Sequence, residues 1–247
     1  MKKERLDTLL VKRGLCPDVE QALRAVLSHE VRVDGVYPTS AATRVPVDAN
    51  ISVKEPQRFV TRGGLKLQAA LDAFSQDVAG FRCADIGCSH GGFTDCLLQA
   101  GAQSVAAVDV GYGDLDWRLR QDDRVTVFER TNIRKADPET LGAPFDLIVA
   151  DLSFIGLASL APVFARLSSE GSVFIGLVKP QFESHADEVD ELGFVRDEEV
   201  RERTVEEVRS ALEMAGFTCT GVVESPITGR KSHNVEYLVR AIYYGHD

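Results

Sequence analysis

The chain has 247 residues, 44% of them hydrophobic, and a formal net charge of -10. That length supports one full α/β domain with a small appendage. No apolar run approaches the ~20 residues that span a bilayer, and the charged start Met1–Arg5 is followed by no apolar stretch and small-residue cleavage site, so neither a membrane partner nor a secretory leader is expected.

Five cysteines, an odd number, fit free thiols in a reducing cytosol better than a disulfide scaffold, and a cytoplasmic protein is expected. Cys83, Cys88 and Cys96 cluster with His90, but their spacing matches no zinc pattern, and no metal is assigned. The charge is uneven. Residues 1–66 carry 12 Lys+Arg against 8 Asp+Glu, whereas the remainder carries 16 against 30. A basic head on an acidic body points to a polyanionic partner for the head.

In chain order, Leu6, Leu9 and Leu10 recur at helical spacing, and Gly14 is placed to end that helix. Asp18 is a candidate N-cap for a second helix with Ala22, Ala25 and Val26 on one face. Val31–Val36 alternates and turns at Asp34-Gly35, Ile51–Val53 reads as its closing strand, and Pro46 and Asp48 punctuate the loop between. The run Arg5-Leu-Asp-Thr-Leu-Leu10-Val-Lys-Arg-Gly14-Leu, with Ala22 and Val31-Arg-Val-Asp-Gly35, resembles an S4 domain, a small RNA-binding module. That resemblance implies an α+β unit over residues 1–55 and RNA contacts from Arg5, Lys12, Arg13, Arg24 and Arg32. Asp18-Val19 stands where the family usually has Ser-Arg, so one phosphate contact is missing. Residues 56–60 read as a linker, opened by Pro56.

From Thr61 the pattern alternates strand and helix, as in a doubly wound α/β domain over 61–247. Strands are expected near 83–86, 105–110, 125–128, 145–150, 172–178, 218–223 and 236–243, with helices over 66–74, 93–100, 115–120, 157–166 and 198–215. The last two strands are joined by a segment too short for a crossover helix, so they are expected to pair antiparallel. A seven-stranded sheet with an antiparallel last strand resembles the Rossmann-like S-adenosylmethionine-dependent methyltransferases more than the nicotinamide enzymes.

The turn Asp85-Ile-Gly87-Cys-Ser-His-Gly91-Gly92-Phe93 is a candidate cofactor cradle. Its glycines permit a tight turn and close approach, and the helix that follows aims its amides at a ligand. The spacing is not the dinucleotide fingerprint, and the carboxylate of Asp85 suits a cationic ligand. Asp109 closes the next strand, where an acid can bind ribose hydroxyls, and Thr131-Asn132 follows the third. Candidate cofactor-binding residues are therefore Asp85, Gly87, Ser89, Gly91, Gly92, Phe93, Thr94, Asp109, Asn132 and Asp151.

Four charged residues close structured segments: Lys66, Asp151, Lys179 and Glu236. A charge at the mouth of a buried strand is costly unless it is paired or used. The stretches Arg62-Gly-Gly-Leu-Lys66-Leu, Gly91-Gly-Phe-Thr-Asp95, Ala107-Val-Asp109, Glu129-Arg-Thr-Asn132, Ala150-Asp-Leu-Ser-Phe154, Leu177-Val-Lys-Pro-Gln-Phe-Glu183 and Ser225-Pro-Ile resemble the TlyA family. The family's members are ribosomal-RNA 2′-O-methyltransferases with an FtsJ-like catalytic domain behind an S4 domain. The resemblance implies S-adenosylmethionine as cofactor, ribosomal RNA or ribosomal subunits as partner, and a Lys-Asp-Lys-Glu tetrad on those four positions. Arg62 joins the candidate RNA contacts.

A ribose hydroxyl must lose its proton as it attacks a sulfonium-borne methyl. Lys179 is the expected acceptor, with Lys66 stabilising the developing alkoxide and Asp151 and Glu236 orienting the lysines. Tyr112 and Trp117 are weaker candidates for base stacking, and Arg230-Lys231 for phosphate contact. The acidic run 187–191 reads as a solvated loop. His90 and His233 depart from the family pattern, and His90 together with the absent arginine at position 19 leaves an RNA-binding protein without chemistry as the competing reading. A membrane-damaging role, the other rival, finds no basic amphipathic helix. The TlyA resemblance further implies a cytidine as the methylated nucleotide.

Overall fold

The computed structural model describes residues 2–54, 58–228 and 234–245. Residues 55–57 of the expected linker region, together with Arg230, Lys231 and His233, lie outside the described residues. The chain divides into two compact units between Pro56 and Gln57.

The first unit contains strands β1 (Lys3–Arg5), β2 (Val31–Val33), β3 (Arg44–Pro46) and β4 (Ile51–Val53) and helices α1 (Leu6–Lys12) and α2 (Val19–Leu27). Asp18 caps α2 by accepting the amide of Gln21, and Gly14 takes φ +71 where α1 has ended. Leu6, Leu9, Leu10, Ala22, Val26, Val31 and Val45 form its core. β2 pairs antiparallel with β4, as its pattern indicates. The β1–β3 pair was not expected, because three-residue strands carry no readable alternation. Pro46 sits at the end of β3 opposite Lys3, not in an open loop.

In the second unit, strands β5 (Arg82–Ile86), β6 (Ser104–Val108), β7 (Val125–Phe128), β8 (Leu147–Ala150), β9 (Val173–Val178), β10 (Phe217–Glu224) and β11 (Tyr237–Tyr243) form one sheet in the order β10-β11-β9-β8-β5-β6-β7. Its helices are α3 (Gly63–Ala73), α4 (Gly92–Gln99), α5 (Trp117–Arg120), α6 (Pro138–Leu141), α7 (Ala161–Arg166), α8 (Pro180–Glu183) and α9 (Glu198–Met214). The pairs among β5 to β9 are parallel, while β11 is antiparallel to both β9 and β10.

Alternation along the buried strands sends side chains to two cores. Leu147 and Val149 of β8 join Leu67 and Leu97 on one side, while Ile148 and Ala150 join Phe164 and Leu212 on the other. Residues 58–60, read as the tail of a linker, instead belong to this packing. Phe59 is buried in the α3–α4 core, and the amide of Val60 donates to Asp95 at 2.8 Å. An aromatic with a core to enter does not behave as a free tether.

Candidate active site

The site forms where the parallel strands end. After β5 the chain turns at Gly87, at φ +85, and its amide donates to the carbonyl of Val108 at 2.8 Å. A Cβ at Gly87 would lie 2.8 Å from the carbonyl oxygen of Asp151, so the turn touches the exit of β8 and needs glycine there. Asp109, just past β6, accepts the amides of Ser89 at 2.8 Å and Gly111 at 2.7 Å. It thereby ties the Gly-rich turn to the neighbouring strand exit.

Asp85 is fully buried near the end of β5. Its Oδ2 accepts the Thr94 hydroxyl at 2.6 Å, while its Oδ1 has no hydrogen-bond partner. Burial pushes this carboxyl up to about 7, and the negative charges of Asp151 and Asp109 push the same way, against the Thr94 bond. A shielded, unpartnered carboxylate oxygen beside a cleft calls for a cationic or donor group from a ligand. S-adenosylmethionine carries such a group in its ammonium, so these residues fit it.

The four charged residues converge by topology. Lys66 lies on the first turn of α3, Asp151 follows β8 and Lys179 follows β9. Glu236 immediately precedes β11, and the antiparallel register Tyr237↔Val178 sets it beside the end of β9. A parallel last strand would have begun at the opposite rim. Lys66 and Glu236 form a buried ion pair. The Nζ of Lys179 stands 2.6 Å from Asp151 Oδ1, within ion-pair range but off the line of a hydrogen bond, and donates to Ser153 Oγ at 3.2 Å.

A cleft of about 590 Å³ is lined by Arg62, Lys66, Asp85, His90, Asp151 and Lys179, among others. It adjoins a hollow of about 370 Å³ lined by Asp109, Asn132, Ile133 and Phe154, and the two share Gly87, Ser89, Asp151 and Ser153. Together they follow the carboxyl ends of β5, β6, β8 and β9, where doubly wound sheets bind ligands.

The candidate cofactor residues separate into two groups. Gly87, Ser89, Phe93, Asp85, Asp151, Asp109 and Asn132 line the cleft or the hollow, with Asn132 Oδ1 also accepting the amide of Arg134. Gly92 lines the cleft too, yet its missing side chain serves packing, since a Cβ there would strike the Thr61 hydroxyl. Gly91 and Thr94 line neither space. Gly91, at φ +92, is pressed against Leu115 and Leu119, and the Thr94 hydroxyl is committed to Asp85.

Of the candidate RNA contacts, Arg62 lines the cleft. The others lie in the first unit, where local partners occupy them. Arg5 bonds Asp7, Arg24 pairs with Glu20, and Lys12 faces Glu4 at 3.4 Å. Arg13 is a structural latch that donates to the carbonyls of Val47 and Ala49. Arg32 stacks on Tyr37, 4.6 Å from the ring centroid, and donates to its hydroxyl. Sequence reasoning missed Ser153 and Glu183. Both stand inside family-like stretches, but only Ser153, two positions after Asp151, had a local cue to its role, whereas the bond of Glu183 to Leu157 spans 26 positions. Cys83 and Cys96 are buried, and their thiols are pushed up to about 12, as suits inert core residues. Among the described residues no group of His, Cys, Asp and Glu could hold a metal ion.

A doubly wound sheet with an antiparallel closing strand, a Gly-rich turn and this cleft define the fold and site of an S-adenosylmethionine-dependent methyltransferase. A family profile described as FtsJ-like methyltransferase matches residues 59–243. The chain is 43% identical over 240 residues to the Mycobacterium tuberculosis 16S/23S rRNA (cytidine-2′-O)-methyltransferase TlyA, covering 96% of this chain and 89% of that one. It is 36% identical to Hemolysin A of Brachyspira hyodysenteriae, covering 96% and 99%. A solved Streptococcus thermophilus structure with a provisional hemolysin name superposes with a TM-score of 0.75 at 38% identity, covering 99% and 90%. The chain belongs to the FtsJ-like methyltransferases, in the TlyA family. Its methyl donor is S-adenosylmethionine. Among the described residues no helix is long and apolar enough to cross a membrane.

Proposed function

We propose that this protein methylates a ribose 2′-hydroxyl of ribosomal RNA in the cytoplasm, acting on a cytidine, with free RNA or an assembled subunit as the partner. The observation that carries this reading is that Lys66, Asp151 and Lys179 line one cleft with Asp85 and its orphan oxygen, Lys66 being paired with the buried Glu236 and Lys179 with Asp151. The TlyA relatives named for cytidine 2′-O-methylation support the choice of hydroxyl.

S-adenosylmethionine, when bound, supplies an electrophilic methyl on a cationic sulfur. Asp85 would hold its ammonium, and Asp109 and Asn132 line the adjoining hollow. Lys179 takes the proton of the incoming hydroxyl, and Asp151, 2.6 Å away, holds the amine in place by charge. Lys66, neutralised from behind by Glu236, steadies the oxygen as it becomes negative. The first unit, S4-like in sequence, holds RNA through Lys12, Arg24 and Arg32, and Arg62 serves at the cleft. Arg5 and Arg13 are weaker contacts, given their local bonds.

One feature favours the rival, RNA binding without chemistry: the bulky His90 lines the cleft. Incubating unmodified ribosomal RNA and subunits with protein and tritiated cofactor tests both readings. Radiolabel in alkali-resistant linkages supports the enzyme. No label, together with no heat of cofactor binding by titration calorimetry, supports the rival.

A further inference from the structure

We propose that Ser153 is a positioning residue that aims the amine of Lys179. The inference rests on the function proposed above. A neutral lysine amine has two N–H bonds and one lone pair, and only the lone pair can accept a proton. In this cleft Asp151 Oδ1 lies 2.6 Å from Nζ but off an N–H line, so it attracts the amine without aiming it, whereas Ser153 Oγ, 3.2 Å away, accepts a directed N–H bond. The ring of Phe182 closes a third side, with its centroid 5.9 Å from Nζ. The direction left for the lone pair is the cleft that Lys179 lines. Asp151 alone would leave the amine free to rotate about that single contact.

The loop that carries Ser153 is built to stay in place. Phe154, the next residue, has φ +67 and is 92% exposed, so what fastens the loop is its polar contacts and not the burial of this ring. The Phe154 and Phe182 rings meet at 5.4 Å. Further along, the amide of Leu157 donates to Glu183 Oε1 at 2.6 Å, and Gly156 leaves room for the Glu183 carboxylate that any Cβ would invade. The exits of β8 and β9 are thus fastened at both ends: by Ser153 on Lys179 at the reactive end, and by Glu183 on Leu157 at the other. Removing the hydroxyl loosens the reactive end alone. It should slow the proton transfer without disturbing either ligand.

The test compares full-length wild type, Ser153→Ala and Ser153→Thr in tritium transfer to unmodified ribosomal RNA. Cofactor Kd by calorimetry and melting temperature are measured in parallel. Loss of a hydrogen bond to a charged or titrating group corresponds to a fall of ~10-fold in kcat for Ser153→Ala. The KM for RNA and the Kd for cofactor stay within about twofold, and Ser153→Thr recovers most of the rate, because it returns the hydroxyl. Wild-type kcat in Ser153→Ala overturns the inference while leaving the function intact. So does an equal loss in both variants at unchanged melting temperature. A wild type that places no methyl on ribose overturns both.

Discussion

Lys66 and Glu236 stand 170 positions apart and meet as a buried ion pair, one from a helix at the start of the second unit and one from the entry to its last strand. Their meeting depends on the antiparallel final strand. A buried pair of this kind is fragile when halved, because the remaining charge has neither water nor partner. Glu236→Ala is expected to lower unfolding stability by about 3–5 kcal/mol. The double variant Lys66→Met/Glu236→Leu should recover most of that loss, since two apolar side chains fill the space without a desolvated charge. Neither should transfer methyl. Chemical denaturation and the transfer assay separate the two effects, and a double variant as unstable as the single one contradicts the ion-pair reading.

Asp85 gives a pH signature. Its carboxyl ionises at an ordinary value of 3.8 when unfolded but is pushed up to about 7 in the folded, ligand-free chain, first by burial. Between those values the unfolded state has lost the proton and the folded state keeps it. Stability therefore falls as pH rises through this window and levels off above about 7, by roughly 4 kcal/mol at most. Asp85→Asn should flatten the profile and be the more stable protein at pH 8. Cofactor affinity should move the other way, rising through pH 7 in the wild type as the carboxylate forms, and becoming weak and pH-independent in the variant. Parallel melting and calorimetric series at pH 5, 6, 7 and 8 check both.

Gly87 is a steric requirement at the mouth of β5. A side chain there meets the carbonyl of Asp151 and the side chain of Leu152, at a φ that costs any L-residue. Gly87→Ala should cost about 1–3 kcal/mol and lower cofactor affinity, because Asp151 must shift. Unchanged melting with unchanged Kd contradicts the packing described.

In the first unit, Lys12 and Arg32 are surface cations, and Arg32 is presented on the ring of Tyr37. The full-length variant Lys12→Glu/Arg32→Glu should bind ribosomal RNA several-fold more weakly, with a shallower dependence on salt, and should bind cofactor as the wild type does. Filter binding across salt concentrations reads this directly. An unchanged slope removes RNA contact from this pair.

Much of the second unit was legible because its buried strands are unbroken apolar runs closed by charge. Leu147–Ala150 followed by Asp151, and Val173–Val178 followed by Lys179, mark both strand and site. The pairing of Lys66 with Glu236 rather than with Asp151 was not legible, since it depends on the register of β11 against β9. The part played by Gly91 was misread because a glycine that serves a ligand and one that makes room for Leu115 and Leu119 look alike in one dimension. The linker tail was misread because Pro56 signals a break and nothing local shows that Phe59 is buried. Arg13 counted as a free cation until the carbonyls of Val47 and Ala49 appeared beside its guanidinium.

The most direct measurement compares wild type with Lys179→Ala in tritiated methyl transfer to unmodified ribosomal RNA, with alkali-resistant linkages mapped and cofactor Kd measured on the same samples. The wild type should label a ribose 2′-oxygen, and Lys179→Ala should lose at least ~1,000-fold in rate while keeping its cofactor Kd within about threefold. Wild-type rates from Lys179→Ala, or label on a base instead of a ribose, contradict the chemistry assigned to this cleft.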